Sequence, residues 1–344
     1  PSIVDSIWQQ KWIMEQLSVS GLALTLKEKE KGFSVSGYDI KESENKGEPL
    51  TLKKIDLFLK QQHRVQINDL RLRIELKESP ILDVLVDQAD LSTLKKQSWL
   101  LAKAQVNAIN QQTQLELQLE SNGQGFFDAY VKHDQWDWSP WLKGVFPDSL
   151  ALESMQVSGE HWLRLYGETL QSYTSLVQIQ DIALKYTETN KVSKLQNLSA
   201  QFNLDKKGVG NSDYIGAIKD LTFSQNKTKW IPSLHEFSYI DEVFEIHSDI
   251  IDVGMLSELI APFDQKGTIA KMRPKGKLIN SALSISNKEN FAYELVANVD
   301  QVFTRPANGT PGFGNLTGKI VMNEHKGHLS VENNDIEIWD AGNF

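Results

Sequence analysis

Gln114-Leu115-Glu116-Leu117-Gln118-Leu119-Glu120 alternates polar and apolar side chains without a break. In an extended chain successive side chains point to opposite faces. Leu115, Leu117 and Leu119 therefore project one way, and Gln114, Glu116, Gln118 and Glu120 the other. The stretch reads as a strand with one apolar and one wet face. The same period runs outward along the chain. Leu22, Leu24 and Leu26 follow it, as do Leu70, Leu72, Ile74 and Leu76, then Leu82, Val84 and Val86. Ala200, Phe202 and Leu204 repeat it, and Phe291, Tyr293, Leu295, Ala297 and Val299 give the longest late example. Such strands together make a large apolar sheet face, and what covers that face decides what the protein does.

Composition narrows the class. At 344 residues there is room for one large domain or two ordinary ones. With 40% hydrophobic and 24% charged residues, the chain is that of a folded protein rather than a disordered one. A net charge of -9 argues against nucleic acid, whose affinity comes from neutralising phosphates with Lys and Arg. It argues equally against electrostatic docking on an anionic membrane. The absence of cysteine excludes disulfides, thiolate nucleophiles and Cys-ligated zinc. No run of about 18 apolar residues is present, so no helix is expected to span a bilayer. The chain starts at Pro1 rather than Met, which reads as a fragment or processed product and leaves room for an N-terminal anchor ahead of it.

Helices are expected in few places. Ser2 and Asp5 make a capping box ahead of Ile3, Ile7, Met14 and Leu17. Leu52, Ile55 and Leu59 share a helical face. Ser139-Pro140-Trp141 has a capping residue followed by proline in the first turn. Asp252 is placed to cap a helix burying Met255, Leu256, Leu259 and Ile260, with Pro262 ending it. Elsewhere strands and turns alternate, with a hairpin around Gly21 to Gly37 and polar turns near Glu188–Lys194 and Asp205–Ser212. The expected division is 1–130, a helix plus a β-groove segment, and 131–344, a second segment continuing the same sheet.

Catalytic signatures are missing. No G-x-S-x-G elbow or G-x-G-x-x-G turn occurs, and Gly318-Lys319 is followed by Ile320 where a phosphate loop needs a hydroxyl. His325 and His328 flank Lys326-Gly327 and read as a polar hairpin tip, since metal sites need three or four ligands. Asp134 and Asp137 are near in sequence but define no cleft of the kind glycosidases need. Trp136, Trp138 and Trp141 read first as packing anchors and second as indoles able to stack on sugars. Four Asn-x-Ser/Thr triplets begin at Asn197, Asn226, Asn308 and Asn315; they matter only on a eukaryotic secretory route. No enzyme, metal or cofactor is expected.

Several segments, taken in order, resemble a known family. Asp56-Leu57-Phe58-Leu59-Lys60-Gln61 precedes Ile67-Asn68-Asp69-Leu70-Arg71-Leu72. Trp138-Ser139-Pro140-Trp141-Leu142 precedes Asp148-Ser149-Leu150-Ala151-Leu152-Glu153. Pro311-Gly312-Phe313-Gly314-Asn315-Leu316-Thr317-Gly318 precedes Gly327-His328-Leu329-Ser330-Val331. From about Leu17 to Phe344 this order and spacing resemble the N-terminal half of the YhdP proteins, a branch of the AsmA-like superfamily of Gram-negative bacteria.

The resemblance implies a mainly β fold. It would be a long, strongly twisted antiparallel sheet forming an open groove or flattened incomplete barrel, with a few short helices. It implies a periplasmic location, an anchor in the inner membrane and passive movement of phospholipid between inner and outer membranes, in support of the outer-membrane permeability barrier. Partners would be phospholipid, the two membranes through parts absent from this chain, and further periplasmic proteins. Acyl chains would lie along the apolar face, each buried CH₂ contributing about 0.8 kcal/mol. Leu115, Leu117, Leu119, Phe202, Leu204, Tyr293 and Leu295 are the groove candidates. The alternative is a periplasmic scaffold or interaction module whose inward residues are plain core, because alternating strands also build closed sandwiches.

Overall fold

The structure, a computed structural model, describes residues 16–339 apart from 30–32, 36–37, 41–62, 78–79, 95–96, 109–110, 123, 143–149, 168, 188–189, 209–212, 226–227, 261–263, 265–266 and 287–290. The helices expected from Ser2 and from Leu52 to Gln61 lie outside the described residues. So does most of the segment after Ser139, of which 139–142 form a turn closed by Trp141 N–H donating to the Trp138 carbonyl at 3.0 Å. The protein is mainly β, as the alternation predicts. Its residues fall into two compact units, Pro1–Lys143 with Gln156–Ser175, and Gly144–Met155 with Leu176–Phe344.

Unit 1 contains β1 (Leu17–Ser20), β2 (Ala23–Glu28), β3 (Phe33–Val35), β4 (Tyr38–Ile40), β5 (Arg64–Glu75), β6 (Leu82–Leu94), β7 (Gln97–Ala108), β8 (Gln111–Ser121) and β9 (Phe126–Asp137). β10 (Leu150–Tyr166) and β11 (Thr169–Tyr186) contribute residues to both units. From β5 to β10 each strand pairs antiparallel with the next. The sheet is not antiparallel throughout, however. β1 and β2 both lie parallel to β5 on the edge away from β6, and β3 and β4 continue outward from β2. A parallel pair needs a long crossover, and the chain between β2 and β5 is long enough to provide one.

Unit 2 contains β12 (Val192–Lys206), β13 (Tyr214–Gln225), β14 (Thr228–Lys229), β15 (Ser233–Ile240), β16 (Val243–Asp252), β17 (Lys275–Ser286), β18 (Ala292–Thr304), β19 (Gly312–Asn323), β20 (Gly327–Val331) and β21 (Glu337–Trp339). The antiparallel ladder runs β12–β13–β15–β16–β17–β18–β19, and β19 then pairs with both β20 and β21. Among its described residues the helices are α1 (Val253–Ile260) and α2 (Thr268–Met272). α1 starts where predicted: the Asp252 carboxylate accepts the N–H of Met255 at 2.9 Å, satisfying one of the orphan donors of the first turn. Met255 then packs with Phe223 and Trp230, and Leu195, Leu198, Leu221, Ile251 and Leu259 close around them.

The strands of unit 2 are interrupted at matching places. Asn197, Asp220, Asn280, Gln301 and Asn315 all have φ near +50°. Each sits where the pairing register slips by one residue. These are β-bulges, which bend a strand and increase its right-handed twist. Four of the five are Asn or Asp, the non-glycine residues that enter the left-handed region most readily. Asn197 and Asn315, read above as the first residues of acceptor triplets, therefore have a conformational role inside strands. A β-branched side chain cannot take this conformation cheaply. N280V is expected to lower stability by about 1–2 kcal/mol, and N280G to stay within about 0.5 kcal/mol of the parent, in urea unfolding followed by circular dichroism.

Candidate functional site

In unit 1 the register gathers inward side chains into rows running across six strands. One row is Val65–Leu91–Leu100–Leu119–Ala129–Leu163. The next is Ile67–Ala89–Ala102–Leu117–Val131–His161, and the third is Leu70–Val86–Ala104–Leu115–His133–Gly159. Leu115, Leu117 and Leu119 thus stand on one face in three adjacent rows, all half-buried. The rows are aliphatic over β5 to β8, and the six strands span about 24 Å at the usual inter-strand spacing. The alanines of β7 are too small to fill the face, so the leucines of β8 stand above them. Among the described residues of unit 1 there is no helix to cover it.

Polar residues flank these rows over part of the sheet, at β6 to β8 on one side and at β8 to β10 on the other. At one end Thr93 and Ser98 hydroxyls lie 3.1 Å apart, and Ser121, directly opposite Ser98, is fully buried. At the other, Thr113 Oγ1 donates to the Asp134 carbonyl at 3.1 Å. Beside it runs a connected chain. The Asp134 carbonyl can only accept, so His133 Nδ1, 2.9 Å away, carries its proton and leaves Nε2 as an acceptor. His161 Nε2 lies 3.2 Å from it and donates. His161 Nδ1 then accepts from the Tyr173 hydroxyl at 2.8 Å, with Ser175 Oγ alongside at 2.9 Å. Every nitrogen of the two stacked rings has a hydrogen-bonding partner.

Unit 2 repeats the scheme. One row reads Leu204–Gly216–Phe237–Ile246–Leu283–Leu295–Met322 across seven strands. Gly216 is required here, since a Cβ would strike the Phe237 ring and the Asn203 carbonyl. To one side lie Tyr214, Tyr239, Phe244, Ile285 and Tyr293, of which Tyr239 and Phe244 are exposed. To the other lie Phe202, Ile218, His235, Ser248 and Ser281, the last three buried. His235 is held on both nitrogens by Ser233 and Ser248 hydroxyls at 2.7 Å, and Trp230 Nε1 donates to Ser233 at 3.0 Å. Beyond this polar line stands the dry cluster under α1. Exposure therefore falls across the face from an open aromatic row, through half-buried aliphatics, to a closed core.

All seven groove candidates lie on these two faces. Leu204 and Leu295 share the central row of unit 2, Tyr293 belongs to its open side, and Phe202 stacks on Phe237 with ring centroids 5.6 Å apart. The polar borders escaped the sequence reading, although Ser98, Ser121, His133 and His161 all occupy the inward phase of the alternation. His325, in the β19–β20 turn, and His328, in β20, are both exposed. Trp136 packs edge-on against Trp141 at 4.9 Å, and Trp138 against His133 at 5.6 Å, so these indoles pack on near neighbours. Asp137 accepts the Ser139 N–H at 2.9 Å. Among the described residues, no group of three or more His, Asp or Glu side chains is placed to hold a metal, and no helix is long and apolar enough to cross a membrane.

The family model described as YhdP protein matches residues 1–342. No curated protein and no solved structure matches the chain significantly.

Burial lowers the basicity of His161, and the facing His133 ring lowers it further. Burial lowers that of His235, partly opposed by Asp249. Both imidazoles therefore keep the neutral form to lower pH in the folded chain than in the unfolded one, which takes up protons from about pH 6.5 downward. The unfolded state then binds more protons, so stability is complete above about pH 6.5 and declines as the pH falls below it. Urea midpoints measured between pH 8 and 5 are expected to drop below about 6.5, and to drop less steeply in H161Q.

Proposed function

Since the chain belongs to the YhdP family, we propose that its two apolar sheet faces shield phospholipid acyl chains. The chain would be a periplasmic segment of an inner-membrane-anchored protein that passes lipid towards the outer membrane and supports its permeability barrier. The observation that carries the reading is the set of half-buried leucines on the unit 1 face, with no helix over them among the described residues. An aliphatic face of this size is costly in water, at about 25 cal/mol per Å² left exposed. A hydrocarbon chain laid along it removes that cost and needs no directional contact.

The chemistry is passive. Rows of Leu, Ile, Val and Ala offer a surface of nearly constant affinity. A deep local minimum would hold one lipid and stop the flow. The opposite face of the same strands is wet: Lys103–Glu116 and Lys132–Glu160 pair across it at 3.2 and 3.3 Å. That arrangement keeps acyl chains on one side of the sheet and leaves headgroups to solvent. The closed cluster of Phe223, Trp230 and Met255 under α1 limits the open part of the unit 2 face to the rows beyond the serine and histidine line.

Charge on the inward face is the direct test. Organic extracts of the purified chain are expected to contain phospholipid at near-stoichiometric levels. The L115D/L117D/L119D variant should lose it by about tenfold or more, and Q114D/Q118D, charged on the wet face, should keep it. L204D/L295D tests unit 2 in the same way. A folded inward variant with undiminished lipid, or a lipid-free parent, would instead favour the closed scaffold.

A further inference from the structure

The wet face of unit 1 is not uniformly charged. Two adjacent rows cross β7 to β10 on that side: Trp99–Glu120–Asp128–Arg164 and Leu101–Gln118–Tyr130–Trp162. Together with Ser172 and Thr174 of β11 they line an open dish of about 430 Å³. That volume lies within the range of small-ligand sites, about 300–1,000 Å³. Trp162 is 39% exposed and Leu101 53% exposed, although each faces water. The Tyr130 and Trp162 rings are 5.3 Å apart and tilted by 44°, so they stand as a wall rather than lying flat on each other.

The polar groups of the dish are held in place. Arg164 grips Asp128 through two hydrogen bonds, Nε to Oδ1 at 2.6 Å and Nη2 to Oδ2 at 3.2 Å. The next row along the strands is the Lys103–Glu116 and Lys132–Glu160 ladder, and the Tyr130 hydroxyl donates to Glu160 at 3.2 Å. These charges cancel in pairs. Glu120 has no ion-pair partner among the described residues, which leaves the dish slightly negative and unfavourable to phosphates and carboxylates. The exposed Trp162 ring and the half-buried Trp99 and Tyr130 rings, beside fixed hydrogen-bonding groups, suit a ligand with apolar C–H faces and hydroxyl edges.

We propose that this dish binds a neutral oligosaccharide. Sugar C–H faces pack on Trp162 and Trp99, and hydroxyls bond the free lone pairs of Asp128, the remaining donors of Arg164 and the Gln118 amide. These side chains alternate with those of the lipid rows and so stand on the opposite face, although Leu119, Ala129 and Leu163 also border the dish.

The test titrates the intact chain with maltohexaose and, separately, chitohexaose, read by tryptophan fluorescence and calorimetry. Saturable binding is expected in roughly the millimolar range, as suits an open site. W162A and W99A should each weaken it by about tenfold, the loss of one ring contact, with the circular dichroism spectrum unchanged. L94A, another exposed position on the same face, should leave it unaltered. No saturable change with either sugar would overturn the proposal, as would binding that survives both tryptophan variants. Concentration-dependent self-association abolished by W162A would overturn it too, in favour of contact between copies.

Discussion

An apolar sheet face cannot be left in water. This requirement governs the rest of the molecule. Strands alternating with a period of two put most of their leucine, isoleucine and valine on one side. Each unit must then curl that side inward, cover it or give it a guest. Unit 2 does part of this with α1, whose Met255 seals Phe223 and Trp230. In unit 1 Ala104, Val106 and Phe127 are buried, while the leucines of β8 stay half-open.

Two devices keep such a face in register and give it edges. One is the bulge. Asn197, Asp220, Asn280, Gln301 and Asn315 each add a residue to one strand, bending it without breaking the ladder. The other is the buried polar line. Thr93, Ser98 and Ser121 mark one limit of the unit 1 rows, and the Tyr173–His161–His133 chain marks the other. An unsatisfied buried donor costs about 1–3 kcal/mol, so such lines hold their strands at one register. They also interrupt the aliphatic surface over part of its width, while Leu72, Val84 and Val106 carry it on over β5 to β7.

Much of this is legible in the chain. The alternation around Leu115 to Leu119 gives the strand, its inward face and its neighbours' character. Asp252 ahead of Met255 gives the start of α1. Register was not legible, because any two alternating strands pair equally well until bulges fix them. The bulge residues look like ordinary polar positions, since a left-handed φ leaves only a weak compositional trace in Asn and Asp. Parallel pairing of β1 and β2 with β5 was hidden for a similar reason: it depends on a crossover rather than on local pattern. The histidine chain joins residues 28 apart in sequence, and only cross-strand pairing brings them together. Trp99, Tyr130 and Trp162 are likewise scattered in sequence and adjacent only in the sheet.

The central claim is that hydrocarbon occupies one face of the strands and not the other. A benzophenone side chain at position 117 and, in a separate preparation, at 118 tests it most directly. These neighbours differ only in the face they present. Irradiation in the presence of radiolabelled phospholipid should label the protein at 117 and leave 118 near background. Equal labelling at both positions, or none at 117, would contradict the account.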